Sequence, residues 1–174
     1  MADTTPQFLT LETNRDSERI GELILRRAVV AFLVVAAALA LTGFFGQPPR
    51  ETVGRGAGAT LEVLAPERVR GGLFFQGRFT IIADRDIEHA TLVLDRGWLE
   101  GMHINTIEPA PVGETSRQGR LALDFGHLGP DDTFVAYLQF QVNPTNVGSR
   151  SHGVGLYDGE TLLASVDRDV VVFP

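Results

Sequence analysis

The feature that most constrains this chain is an uncharged apolar run, Ala28–Gly46, reading AVVAFLVVAAALALTGFFG. Wound as an α-helix at ~1.5 Å per residue it reaches about 28 Å, close to the ~30 Å hydrocarbon core of a bilayer. A helix packed on a soluble core needs a polar face, and this run offers only Thr42. The closer rival is a cleaved signal peptide, with Ala38-Leu39-Ala40 as its small-residue cleavage site. Two lengths argue for an uncleaved anchor instead. The tail before the run is longer than a signal needs, and the run exceeds the ~7–15 residues of a signal's apolar segment.

Basic residues near the two ends set the expected orientation. Arg15, Arg19, Arg26 and Arg27 precede the run, whereas only Arg50 and Arg55 follow it closely. This excess places the amino terminus in the cytoplasm and the bulk of the chain outside it. Arg26 and Arg27 suit the inner headgroups, and Phe44 and Phe45 the outer boundary. Within the run, Ala36, Ala40 and Gly43 fall at i, i+4 and i+7, a small-residue stripe on which another membrane helix could pack.

Composition narrows the class of function. The chain carries a formal net charge of −7, and from Gln47 onward 17 acidic residues face 11 arginines, leaving −6 on the outer part. That is not the basic stripe of a nucleic-acid binder, so no nucleic-acid partner is expected. Absence of cysteine excludes a disulfide framework, a thiolate metal site and a cysteine nucleophile. Arginine supplies all 15 basic residues, and the one Asn-x-Thr triplet, Asn143-Pro144-Thr145, has proline in the middle. Together these features point to a bacterial cell-envelope protein.

The chain divides into four parts. Residues 1–27 form a cytoplasmic tail whose stretch from Leu11 to Arg27 reads as a helical juxtamembrane continuation of the anchor. Residues 28–46 are the anchor, and 47–59 (QPPRETVGRGAGA) carry the prolines and glycines of a linker. If flexible, that linker spans about 20 Å on average and ~43 Å at most. Residues 60–174 are the extracytoplasmic domain.

In that domain apolar and polar residues alternate with period two, broken by turn residues every ten or so positions. Phe134, Ala136, Leu138, Phe140 and Val142 form one face of a predicted strand. Leu73, Phe75, Phe79 and Ile81 point inward on another, opposite Gln76, Arg78 and Thr80. Shorter strands are predicted at Thr60–Ala65, Ala90–Asp95, Met102–Ile107 and Arg120–Phe125. Tyr157-Asp158-Gly159-Glu160 is a two-residue hairpin turn between His152–Tyr157 and Thr161–Val166, and Val170–Phe173 continues past a bulge. The expected fold is all-β: an antiparallel sandwich of about 7–9 strands behind one transmembrane helix.

The segment Phe125-Gly126-His127-Leu128-Gly129-Pro130-Asp131-Asp132-Thr133, leading into its long alternating strand, resembles bacterial immunoglobulin-like adhesion modules. Ala65-Pro66 followed by Leu73–Ala83 is similar to their first two strands. The resemblance covers Thr60 to Phe173 and implies an immunoglobulin-like sandwich. The Cys–Trp–Cys core of antibody domains is absent.

No constellation in the sequence carries chemistry. Asp84, Asp86 and Glu88 alternate between two strands, but Arg85 interrupts them and no glycine permits the turn of a calcium loop, so a solvated turn is the better reading. His89, His103, His127 and His152 lack zinc-ligand spacing. Ser116, Ser149, Ser151 and Ser165 sit in no nucleophile elbow, and the adjacency of Ser151 and His152 does not place the hydroxyl on the ring. Trp98, between Gly97 and Gly101, is either a partner-contact anchor in a loop or a plug over the end of the core.

Strand parity gives a further expectation. If successive strands are antiparallel, the end at which the linker enters carries Asp84–His89, Glu108–Gly119 and Asn143–Ser151. The other end carries Pro66–Gly72, Arg96–Gly101 and Gly126–Asp132.

The function expected is therefore protein–protein interaction without catalysis or cofactor, as an accessory subunit of a multi-pass membrane protein. Two other classes stay open. A glycan- or ligand-binding envelope module would need an exposed aromatic platform from Trp98, Tyr137 and Tyr157. An envelope hydrolase would need two histidines or carboxylates gathered in one pocket.

Overall fold

The computed structural model describes residues 13–42 and 46–174. It separates into two compact units, a helical one and a β-rich one starting at Gly46. The first contains α1 (Thr13–Leu41), unbroken across the expected juxtamembrane turn. Its segment Ile20–Leu41 has a mean hydropathy of 2.3 and is long and apolar enough to cross a membrane. Leu25, Phe32 and Val34 are among its exposed apolar side chains, as they must be on a helix that carries them all around its axis. Of the expected packing stripe, Ala36 and Ala40 lie one turn apart on α1, while Gly43 lies outside the described residues.

The second unit is an antiparallel β-sandwich, the all-β architecture expected. One sheet runs in the order β1 (Pro49–Gly56), β2 (Ala59–Pro66), β4 (Phe74–Ala83), β9 (Thr133–Val142) and β6 (Met102–Glu108). The other runs β12 (Thr161–Val166), β11 (Val154–Asp158), β5 (Ala90–Leu94), β8 (Arg120–Asp124) and β7 (Gly113–Arg117). A smaller sheet at one end joins β10 (Gly148–Ser151), β13 (Asp169–Phe173) and β3 (Arg68–Arg70), with β13 and β3 parallel. Alternating side chains fill the space between the two large sheets. Leu61 and Val63 of β2, Phe75, Phe79 and Ile81 of β4, and Leu138 and Phe140 of β9 meet Leu92, Leu94, Leu123 and Leu156 from the facing sheet.

Several expectations change. The strand count exceeds the 7–9 expected because β1, β3, β7 and β10 are short or polar and lack a clear apolar alternation. Most of the predicted linker, residues 47–59, is a strand: β1 pairs along its whole length with β2, from Pro49 opposite Pro66 to Gly56 opposite Ala59. Its glycines serve close packing. A Cβ at Gly54 would collide with the carbonyl oxygen of Ser165, and one at Gly56 with that of Leu163, because β1 lies directly against β12. The stretch between α1 and the sandwich shrinks to residues 42–48. Val170–Phe173 does not continue the β11–β12 hairpin but crosses to the small sheet. Leu73, expected inward, precedes β4 and is exposed.

The parity scheme also fails, for the same reason. His127 Nε2 lies 2.8 Å from Asp86 Oδ1, and Ile87 bridges Leu128, so Asp84–His89 and Gly126–Asp132 share one end. The unforeseen β1 reverses every turn from Pro66 to Gly101, and the unforeseen β7 then reverses the count back. The chain enters at the end holding Pro66–Gly72, Arg96–Gly101 and Asn143–Ser151, where Gly71 approaches Pro144 and Gly101 packs on Asn146.

Candidate functional site

The outer face of the β1-β2-β4-β9-β6 sheet is where side chains capable of recognition gather. Strand pleating sends Phe74, Gln76 and Arg78 of β4 outward while Phe75, Gly77 and Phe79 point into the core. Register then places Leu64 of β2 opposite Arg78, and Tyr137 of β9 on its other side. With Gln47, Pro49 and Phe74 these residues line a groove of about 390 Å³. Phe74 is 55% exposed and Tyr137 39%, large values for aromatic side chains on a flat sheet.

The polar groups of this groove are not satisfied internally. Arg78 Nε and Gln47 Nε2 are both shielded from solvent without a hydrogen-bond partner. Glu62 and Glu51 share the face by register, yet among the described residues Arg78 forms no ion pair. A desolvated donor left unmade costs about 1–3 kcal/mol, so two in one groove are unusual in a native fold. An aromatic pair flanking an arginine is also the composition at which binding energy concentrates in interfaces.

The residues singled out in the sequence are distributed otherwise. Trp98 ends a short 3₁₀ turn, Arg96–Trp98, at the chain-entry end, and its ring is fully buried. It packs on Phe140 (4.9 Å between centroids), Phe79 (5.5 Å) and His152, and its Nε1 donates to Gly153 O at 3.2 Å. Trp98 is thus the plug of the core and not a partner-contact anchor, because Gly97 lets the turn press against the Ser151 backbone and tuck the indole inward.

His152 lies under Trp98, fully buried, with neither ring nitrogen hydrogen-bonded. Burial, assisted by the Arg168 charge and opposed by the nearby Gly97 backbone, lowers its pKa to about 3, so the ring is neutral. Arg168, itself buried, donates from Nη2 to Ala65 O (2.7 Å) and Pro66 O (3.3 Å); burial pushes its guanidinium below its ordinary range, opposed by Glu67. The neighbouring Ser151 hydroxyl donates to Asp95 Oδ2 at 3.0 Å, away from the ring.

At the opposite end two exposed pairs form, His127 with Asp86 and His89 Nδ1 with Asp124 Oδ2 at 3.1 Å. Asp84 and Glu88 beside them are exposed. Among the described residues no three histidines or carboxylates converge to hold a metal ion. Tyr157 is half-buried beneath the Arg117 guanidinium, 4.1 Å above its ring.

Sequence reading missed Phe74 and Gln47 and treated Arg78 as one more outward polar residue. The outward position of Phe74, breaking an otherwise polar face, was the available signal.

No family model matches the chain, and no curated protein matches it. Among solved structures it is similar to a cohesin module from a Clostridium perfringens family 33 glycoside hydrolase: 19% identity, 70% of this chain, 97% of that one, TM-score 0.40. CaCohA2 from Clostridium acetobutylicum gives 14% identity, 67% and 92% coverage and a TM-score of 0.42. The CARDB domain of a Pyrococcus furiosus protein gives 17%, 72% and 96%, with a TM-score of 0.39. At these identities and TM-scores no residue role is carried across.

Proposed function

We propose that this chain is a membrane-anchored, extracytoplasmic protein-interaction module, a non-catalytic accessory subunit of a multi-pass membrane protein or envelope complex. The observation that carries the reading is the outer sheet face on which Phe74 and Tyr137 stay exposed around an arginine without an ion pair. Supporting it, α1 is long enough to span a bilayer, and four arginines on its amino-terminal side favour a cytoplasmic amino terminus. Only seven residues, 42–48, separate the helix from the first strand, at most about 25 Å of extended chain, a short tether for a module that works beside a membrane partner.

The glycan-binding reading loses support because its aromatic platform is broken up: Trp98 is in the core and Tyr157 is capped by Arg117. The hydrolase reading loses support because a groove that does gather two carboxylates, Asp95 and Glu100, holds both against arginines (Arg120 and Arg150) and has no histidine in its lining. Cross-linking the full chain in intact membranes, followed by identification of co-purifying proteins, tests the proposal. A stoichiometric membrane protein is the expected product; recovery of this chain alone would overturn it.

A further inference from the structure

We infer that the groove around Arg78 receives a carboxylate side chain of a protein partner, an aspartate or glutamate set among apolar residues. The inference rests on the interaction-module reading and assigns it a site and a partner chemistry. Three observations converge. Arg78 sits between Leu64 and Tyr137 in one cross-strand row, and all three line the groove together with Phe74. Its Nε is hidden from water without an acceptor, and so is the amide nitrogen of Gln47 in the same groove. No carboxylate of the described chain pairs with it, although carboxylates outnumber arginines in this unit.

An arginine and an amide nitrogen beside this groove, each with a donor that has no partner, leave room for an acceptor from outside. A carboxylate matches the planar fork of arginine better than any neutral group, since both of its oxygens accept at once and charge strengthens each bond. Phe74 and Tyr137 would cover the apolar neighbours of that carboxylate and exclude water from the pair, the condition under which such a contact contributes most. The volume of about 390 Å³ suits one or two side chains and is small for a folded element.

The test uses the full chain in intact membranes. A photo-cross-linking residue replaces Gln76, which shares this face between Phe74 and Arg78, and a second probe replaces Leu162 on the other sheet. Adduct peptides are mapped by mass spectrometry. Expected from the Gln76 position is a segment of another membrane protein containing aspartate or glutamate. Its yield should fall at least tenfold in Arg78→Glu, stay within about threefold in Arg78→Lys, and recover in Arg78→Glu when the mapped carboxylate is changed to lysine. Unchanged yield in Arg78→Glu, or adducts on lipid, on a second copy of this chain or on a segment without carboxylates, would overturn the inference. Capture from Leu162 alone would sink this site while leaving the interaction module standing, and capture from neither would sink both. Circular dichroism and Trp98 fluorescence verify that each variant folds.

Discussion

The rings of Trp98 and His152 stack with their centroids 4.1 Å apart and their planes inclined by 25°, inside a core where neither imidazole nitrogen makes a well-aligned hydrogen bond. A histidine so placed is tolerated only while neutral. Its folded pKa, about 3, lies below its unfolded value of 6.5, so between those values the unfolded state binds the extra proton. Stability is therefore greatest above pH 6.5 and is lost as pH falls toward 3, by up to about 1.4 kcal/mol per pH unit from this group. Urea unfolding of the full chain at pH 7, 6, 5 and 4, followed by fluorescence of Trp98, should show this slope. In His152→Phe the slope should flatten, the difference between the two curves isolating the histidine from titrating carboxylates.

Arg168 contributes to that depression through its charge. Arg168→Met should raise the His152 pKa above about 3, read from the imidazole proton shifts in an NMR titration. The same substitution removes the donor to Ala65 O and Pro66 O and should cost roughly 1.5–3 kcal/mol of stability at neutral pH. An unmoved pKa would show that the guanidinium charge does not reach the ring.

Trp98→Ala should cost about 3–5 kcal/mol, the range for deleting a large buried aromatic. Circular dichroism in urea is the appropriate readout, since the variant has no tryptophan. A loss below ~1 kcal/mol would mean that the indole is not the plug of the core.

At Gly54 and Gly56 a side chain would meet the backbone of β12, so Gly54→Ala and Gly56→Ala should each destabilise by about 2–3 kcal/mol or more and raise amide exchange along β1. Gly159→Ala provides the contrast. Its Cβ would meet nothing within 4 Å, leaving only the strain of φ +54°, roughly 1–2 kcal/mol. Equal exchange in all three variants would contradict the close β1–β12 contact.

The orientation is open to thiol labelling, because the chain has no cysteine of its own. Ser116→Cys, exposed on β7, should react with a membrane-impermeant maleimide in intact cells. Ser17→Cys, in the amino-terminal part of α1, should react only after permeabilisation. The reverse pattern would invert the topology, and a mature protein beginning just after Ala40 would identify the apolar run as a cleaved signal.

Some of this molecule is written locally and could be read without coordinates. That Ala28–Gly46 is long and apolar enough to cross a membrane follows from composition alone, because each residue adds to transfer free energy independently of what lies elsewhere. Alternation along Phe134–Val142 specifies which side of a strand is buried, and Asp158-Gly159 specifies a hairpin, because pleat and turn geometry are properties of a few adjacent residues. What lies beside what is not local. β1 resembles a linker in composition and is a strand because β2 supplies its ladder and β12 a surface that only glycines can approach. One strand more or less reverses the end at which every later turn emerges, which is how Asp86 comes to meet His127. Burial of Trp98 depends on Gly97 pressing against Ser151 from a distant part of the chain. The candidate groove is of the same kind: Leu64, Arg78 and Tyr137 become neighbours only through the register of three strands far apart in sequence. A period of two records which residues face outward, and the pairing of strands alone decides which of them stand together.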